Sequence, residues 1–340
     1  HHSLPSFSPL RRAVTQAGYI AMGFLVLLFF LVLLRDLFGV VAASLQWIAL
    51  KTNGAFPSAP LTHLHSFLFS PRSGPWMLLL TFLLTSEGYW TARRAPHVVE
   101  TRIPVAGLAA EFEGYRIVQI SDMHFGACAW KREALRTARM VNELKPDLVA
   151  FTGDVADGPA NALREVVEPL GKIQATDGLF FVTGNHEYYW DPPGWIRLMK
   201  DLGYRVLMNE NVILKRGKAR GVLGGVPDPA SRNIALMEPP DVKKALAGSP
   251  EGSFRILLAH QPKTVREAAL EKVDLVLSGH THAGQFIPFN VLTGWVEPFL
   301  AGLYEVGATH VYVNRGTSYW GPPIRLGIPS EITLITLHRE

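Results

Sequence analysis

Apolar residues crowd the first quarter of the chain. Ala17–Leu34 (AGYIAMGFLVLLFFLVLL) is 18 residues without a charge. As a helix it spans about 27 Å, close to the thickness of a bilayer core. Arg35 and Asp36 interrupt it, and Leu37–Leu50 continues with 14 uncharged, mostly apolar or small residues. A second stretch, Pro75–Ala92 (PWMLLLTFLLTSEGYWTA), carries one acid, Glu87, near its end. Tyr89 and Trp90 follow, where an interfacial aromatic anchor belongs. A secretory h-region is shorter than these runs. The pattern predicts a tail over 1–16 and a membrane region over 17–95 with two or three transmembrane helices. Two spans put Arg11, Arg12, Arg93, Arg94 and Arg102 on one side and Lys51 and Arg72 on the other. The positive-inside rule then makes the remaining domain cytoplasmic. A tight turn at Arg35-Asp36 would give three spans and an extracytoplasmic domain.

From Pro104 onward, short β-rich runs alternate with amphipathic stretches. Strands are predicted over Tyr115–Ile120, Leu148–Phe151, Leu179–Val182, Phe254–Ala259, Leu275–Leu277, Val311–Val313 and Ile332–Leu337. Helices are predicted over Lys131–Leu144, Ala160–Ile173 and Pro193–Leu202, and a loop over Gly224–Pro229. Strands alternating with helices indicate an α/β domain over 104–340.

Composition adds limits. The 340 residues suggest two parts, and 48% are hydrophobic. The net charge of +4 comes without a long Lys/Arg run, so nucleic acid is not an expected partner. Acidic lipid or a phosphorylated substrate suits that charge. The single cysteine, Cys128, excludes an intrachain disulfide framework. His1 and His2 resemble a tag remnant and carry no metal argument.

Five predicted strand ends carry polar clusters. QISDMHFG supplies Asp122 and His124. FTGDVADG supplies Asp154 and Asp157. VTGNHEYY supplies Asn185, His186 and Glu187. LLAHQP supplies His260, and LSGHTHAG supplies His280 and His282. Taken singly, each is more simply a turn residue or a hydrogen-bonded histidine. Together they share one context, because ligands gather outside the carboxyl ends of strands in α/β sheets. Mixed Asp, Asn and His donors suit Mn, Fe or Zn. No cysteine cluster suggests structural zinc, no P-loop is present, and Gly252-Ser253 sits in no nucleophile elbow.

In this order, DMH, GDVAD, GNHE, a lone His and GHTH resemble the calcineurin-like metallophosphoesterases, over roughly Tyr115 to Leu337. GHTHAGQ, GGVPDP and NRGTSYWGPPIRLGIPSEITLITL are similar to blocks of the membrane-anchored bacterial YkuE/YaeI-like phosphodiesterase group. The resemblance implies a four-layer α-β-β-α sandwich behind the transmembrane helices. It implies two divalent ions, one on Asp122, His124, Asp154 and His282, the other on Asp154, Asn185, His260 and His280. It makes His186 the catalytic histidine, supported by Asp157, and gives Glu187 no metal. Two such ions, about 3.5–4 Å apart, lower the pKa of a shared water and neutralise charge on a phosphoryl group. Some relatives are exported, which favours an extracytoplasmic domain on a bacterial inner or cytoplasmic membrane.

For substrate contacts the sequence offers Asp228, Arg315, Tyr319, Trp320 and Arg325. Trp295, Phe299, Leu300, Leu303 and Tyr304 form a candidate cap for an acyl chain, or part of the core. The expected activity is hydrolysis of a lipid-linked or membrane-derived phosphodiester. The alternatives are a UDP-diacylglucosamine-type pyrophosphatase and a catalytically silent membrane scaffold. The intact ligand set speaks against the last. Oligomeric state is left open.

Overall fold

The computed structural model describes residues 9–51, 59–126, 130–235 and 237–340. His1, His2 and Cys128 lie outside the described residues. The chain starts with α1 (Pro9–Lys51), α2 (Ala59–Leu68) and α3 (Ser73–Arg93). α1 is a single helix of 43 residues. This corrects the three-span expectation: Ala17–Leu34 and Leu37–Leu50 are one helix, and Arg35-Asp36 is not a turn. No proline interrupts Ala17–Leu50, and Arg35 and Asp36 pair with each other at 2.8 Å. α1 is long and apolar enough to cross a membrane over Arg12–Ile48, and α2 and α3 together form a second candidate span bent by 77°. The return is antiparallel. Gln46 Nε2 donates to Thr62 Oγ1, Arg35 lies over the Phe69 ring, and Leu27 clusters with Leu84.

The rest is two six-stranded sheets. The first has the order β1 (His97–Val105), β12 (Glu331–Arg339), β2 (Arg116–Ile120), β3 (Leu148–Phe151), β4 (Gly178–Phe181), β5 (Tyr204–Val206). The second has the order β10 (Gly302–Val306), β11 (Thr309–Val313), β9 (Leu275–Ser278), β8 (Phe254–Leu258), β7 (Ala219–Gly225), β6 (Glu210–Arg216). Strand alternation sorts the core into layers. Leu148 and Ala150 of β3 face the second sheet, where Ile256, Leu258, Leu275 and Leu277 meet them. Val149 and Phe151 face outward onto α4 (Lys131–Glu143), α5 (Ala160–Val167) and α7 (Pro192–Asp201). Leu257 and Val276 face outward from the second sheet onto α8 (Val242–Ala245) and α9 (Val265–Leu270). Two short helices complete the set, α6 (Asn185–Trp190) and α10 (Phe289–Val296). The expected four-layer sandwich is therefore present.

Three boundaries differ from expectation. β1 pairs in parallel with β12 from His97 onward, so the first sheet begins before Pro104. The helix expected over Ala160–Ile173 stops at Val167 and tightens into a 3-10 turn, Glu168–Lys172, containing Pro169. The loop expected from Gly224 begins later, because Gly224 and Gly225 pair with β6 and β8.

The hairpin is joined to the sandwich. Ile324 is fully buried and clusters with Leu27, Leu84 and Phe286. A Cβ on Gly23 would lie 2.3 Å from Ile324 Cδ1, and one on Gly88 2.4 Å from Ile324 Cγ2. The two small residues let both helices close on one side chain. Arg325 N donates to Gly88 O at 2.8 Å, and Arg136 of α4 donates to Arg93 O at 3.0 Å.

Candidate metal centre

β2, β3 and β4 are parallel neighbours in one sheet, and β7, β8 and β9 are parallel neighbours in the other. The loops leaving their carboxyl ends form one rim. Asp122 and His124 follow β2, Asp154 and Asp157 follow β3, and Asn185 and His186 open α6 after β4. His260 follows β8, and His280 and His282 follow β9. Asp122, His124, Asp154, His280 and His282 all have φ between 46° and 74°. Non-glycine residues in sparsely populated backbone regions cost about 1–3 kcal/mol each, and such strain concentrates at functional sites. The loops brace one another: Asp122 N donates to Gly153 O, His124 N to Asp154 O, and Gly279 N to His260 O. Gly279 is required by close approach, since a Cβ there would lie 2.2 Å from Asp122 Oδ2.

The side chains gather in two adjoining sets. In the first, His124 Nε2 and His282 Nε2 are 3.0 Å apart, and Asp122 Oδ1 is 3.4 Å from His282 Nε2. In the second, Asn185 Oδ1 is 3.1 Å from His260 Nε2 and 3.0 Å from His280 Nδ1. Asp154 stands between them, with Oδ2 3.6 Å from His124 Nε2 and 3.2 Å from His260 Nε2. The expected ligands are thus brought together, with the Asp154 carboxylate between imidazole nitrogens of both sets.

Surrounding groups fix the donor atoms. His260 Nδ1 lies 2.7 Å from Thr152 O, which calls for a proton on Nδ1 and leaves the Nε2 lone pair aimed inward. Asp157 Oδ1 lies 3.2 Å from His124 Nδ1 and 2.5 Å from His186 Nδ1. One carboxylate oxygen therefore orients both rings. Glu187 is fully buried and accepts from the backbone N–H groups of Gly184, Asp154 and Val155 at 2.6–3.0 Å. It ties the β3 and β4 loops together and reaches neither set.

The donor chemistry fits divalent cations. Each set presents convergent oxygen and nitrogen lone pairs from buried side chains, and each belongs to a group of His and Asp atoms within 4.8 Å of one another. Burial opposes charge on Asp122, but its interactions with the neighbouring His282 and His124 rings hold its carboxyl well below the usual range. For Asp154 burial is likewise outweighed, by the His260 charge foremost, and the carboxyl falls to about 2. Both are anionic, and buried anions need a partner. The histidines divide. Burial pushes His280 and His282 down to about 4. Burial also opposes charge on His124, but Asp157 with Asp122 lifts it to about 10. Divalent cations are thus the expected occupants on chemical grounds.

The substrate expectations need correction. Asp228 is fully buried, accepting from Ala230 N at 2.8 Å and Gln261 Nε2 at 2.9 Å, so it shapes its loop. Arg325 is fully buried; it donates to His282 O, Arg315 O and Ser318 O, and Nη2 lies 3.0 Å from His282 Nδ1. It holds the GHTH loop rather than facing substrate, and burial lowers its pKa to about 9. Tyr319 is buried. Arg315 pairs with Glu331 at 3.3 Å. Trp320 alone of the five is exposed, at 48%, with its ring 6.1 Å from that of His186. Sequence reasoning missed Tyr189, 65% exposed and 5.1 Å from the His186 ring. Its signal was the aromatic run directly after GNHE. It also missed Gln285, which exchanges hydrogen bonds with Trp320 and binds Pro322 O. Phe299 and Tyr304 pack against the outer core of the second sheet, which settles those two as core.

Removing His280 and His282 separately tests the division. His280→Ala and His282→Ala should each deplete one ion of the pair, and a different one, by elemental analysis of the purified protein. Loss of the same ion from both would refute it.

Residues 115–284 match the family described as calcineurin-like phosphoesterase. The chain is 40% identical over 268 residues to the Danio rerio transmembrane protein with metallophosphoesterase domain, covering 76% of this chain and 61% of that one. It is 36% identical over 269 residues to a Helicobacter pylori metallophosphoesterase, covering 78% of this chain and 70% of that one. It is 32% identical over 266 residues to the Bacillus subtilis metallophosphoesterase YkuE, covering 75% of this chain and 91% of that one. The chain spans 61% of the length of the two vertebrate relatives it matches. Donor geometry, matched region and identities agree, and the chain belongs to the calcineurin-like phosphoesterase family.

Proposed function

We propose that this metal-dependent phosphoester hydrolase is a membrane-anchored phosphodiesterase acting on a lipid-linked phosphoester. The observation that carries the lipid assignment is a shared wall. Trp320 stands beside His186. The next residue, Gly321, lies against α1, where a Cβ would be 3.9 Å from the Met22 methyl. Pro322 and Ile324 then contact Gly23. The mouth of the site thus runs into the apolar surface of a transmembrane helix, along which an acyl chain could lie.

Asp122, His124, Asp154 and His282 would hold one ion, and Asp154, Asn185, His260 and His280 the other. Bound ions supply Lewis acidity toward phosphate oxygens and a lowered water pKa. The chain supplies positioning and a proton. Asp157 binds His186 Nδ1 at 2.5 Å, which leaves Nε2 toward the site, 4.0 Å from Asp154 Oδ2. Burial of Asp157 is outweighed by His124 and His186, so its carboxyl is held well below the usual range and stays anionic. An imidazolium held this way can donate its Nε2 proton to a leaving alkoxide.

His186→Ala should keep both metals and lose about 10²–10⁴-fold in turnover of diesters with poor leaving groups. Full turnover with metals bound would remove His186 from the mechanism. The substrate class is tested with the full chain in phospholipid nanodiscs. Chelator-sensitive hydrolysis of a glycerophospholipid diester is expected. Turnover of soluble bis-p-nitrophenyl phosphate alone would overturn the lipid assignment. Preference for UDP-diacylglucosamine would identify a pyrophosphatase, and metal binding without hydrolysis a scaffold.

The hairpin supports a proposal for the membrane face. Its return to the starting side puts Arg12, Arg93 and Arg94 at the domain end, and the positive-inside rule then favours a cytosolic domain. The exported relatives favour the opposite face. A carboxyl-terminal green fluorescent protein fusion should fluoresce and an alkaline phosphatase fusion should be inactive; the opposite pair of results would restore the earlier placement.

A further inference from the structure

The turn that leads into α10 is packed on the protein, but α10 itself has no buried residue. The segment Ala283–Val296 (AGQFIPFNVLTGWV) has no ionisable side chain. No residue of α10 is buried. Trp295 is 78% and Val296 69% exposed, and Ile287, Val291 and Leu292 are exposed beside them. Val291 and Trp295 are four residues apart on α10, so they share one side of the helix. A water-soluble surface does not usually carry a continuous apolar strip of this kind.

Its surroundings identify what covers it. Phe286 stacks on Phe289 at the start of α10, and Phe286 also clusters with Leu27 of α1, Leu84 of α3 and Ile324. On α3 this contact falls where the apolar run Trp76–Leu84 gives way to Ser86, Glu87 and Gly88. Tyr89 and Trp90 follow at once, and Arg93 lies over the Tyr89 ring at 3.9 Å. That sequence of apolar, aromatic and cationic side chains marks a water–lipid boundary. α10 therefore departs from the hairpin at that boundary. At its far end Glu297 accepts from Lys263 at 2.9 Å and returns the chain to the sandwich. Arg132, Arg136, Arg139 and Lys172, with Glu143, line a groove of about 850 Å³ along α4. Arg136 is tied to the last turn of α3.

We infer that α10 is an interfacial membrane helix that seats the catalytic domain on the leaflet entered by α1 and α3. Its apolar side takes up acyl chains, with Trp295 at the boundary. The domain is held by the spans and by this second contact, which restrains rotation about the hairpin. The consequence for the site is a fixed height. Phe286 follows His282 by four steps along the chain, a reach of at most about 14 Å. The metal rim therefore stays at head-group depth. This placement is independent of which phosphoester is hydrolysed.

The test uses the full chain in phosphatidylcholine–phosphatidylglycerol nanodiscs, with Cys128→Ser as background and one spin label per variant. Labels go at Leu292→Cys and Trp295→Cys, with Lys218→Cys as a control on the β6–β7 turn, at the opposite end of the sheet from the metal rim. Each variant is first shown to retain bis-p-nitrophenyl phosphate turnover, so a misfolded one is recognised. The expected result is relaxation dominated by oxygen at 292 and 295 and by a water-soluble nickel chelate at 218. Chelate-dominated relaxation at 292 and 295 would overturn the inference. So would protection from both reagents accompanied by dimer formation, which would mean that a second copy covers the helix.

Discussion

The site depends on the position of Asp154 between two sets of donors. Its carboxylate faces His124 on one side and His260 on the other, within 3.6 Å of each. An anion so deeply buried is stable only if cationic partners accept it from both directions. That demand explains much of the neighbouring architecture. β3 must deliver Asp154 to the seam between the sheets, and Glu187 must pin its loop by binding the backbone of Asp154 and Val155. Gly184 must stay small, because a Cβ there would meet Asp154 Oδ1 at 2.2 Å. The left-handed backbone at Asp122, Asp154, His280 and His282 is the local cost of turning five loops toward one seam.

Orientation matters as much as proximity. Thr152 O selects the free nitrogen of His260, and Asp157 does the same for His124 and His186. Asp157 thereby couples a donor of the first set to the histidine proposed to move a proton. A change at Asp157 should therefore act on metal retention and turnover together. Arg325 instead holds the His282 loop by donating to the His282 carbonyl, from a fully buried position.

The centre was legible in the sequence because its chemistry restricts residue type. DMH, GDVAD, GNHE and GHTH each combine a donor with a turn at a strand end, and the structure unites them at one rim. The central strands were legible as well, since Leu148–Phe151 and Leu275–Leu277 are continuous apolar runs. Edge strands were not. β1 carries Glu100, Thr101 and Arg102, and its partial exposure gives a pattern like that of a polar linker. Arg35-Asp36 resembled a boundary because charge was read without its partner one residue away. Asp228 and Arg325 failed for a related reason. A charged residue in a loop does not show whether it points outward, and both point inward to hydrogen bonds within the protein.

The hairpin and the site are usually thought of as separate parts, an anchor and an enzyme. Here they share side chains. Ile324 fills a gap between Gly23 and Gly88, and its neighbour Arg325 carries one contact to each part, N–H to Gly88 O and guanidinium to the GHTH loop. A shift of α3 relative to the sandwich would move residues 324 and 325 together. The route from there to His282 is a chain of packed and hydrogen-bonded groups with no flexible linker between them. The apolar hairpin is therefore more than an anchor. It is built into the support of a metal ligand, so the geometry of the site and the seating of the helices are one packing problem.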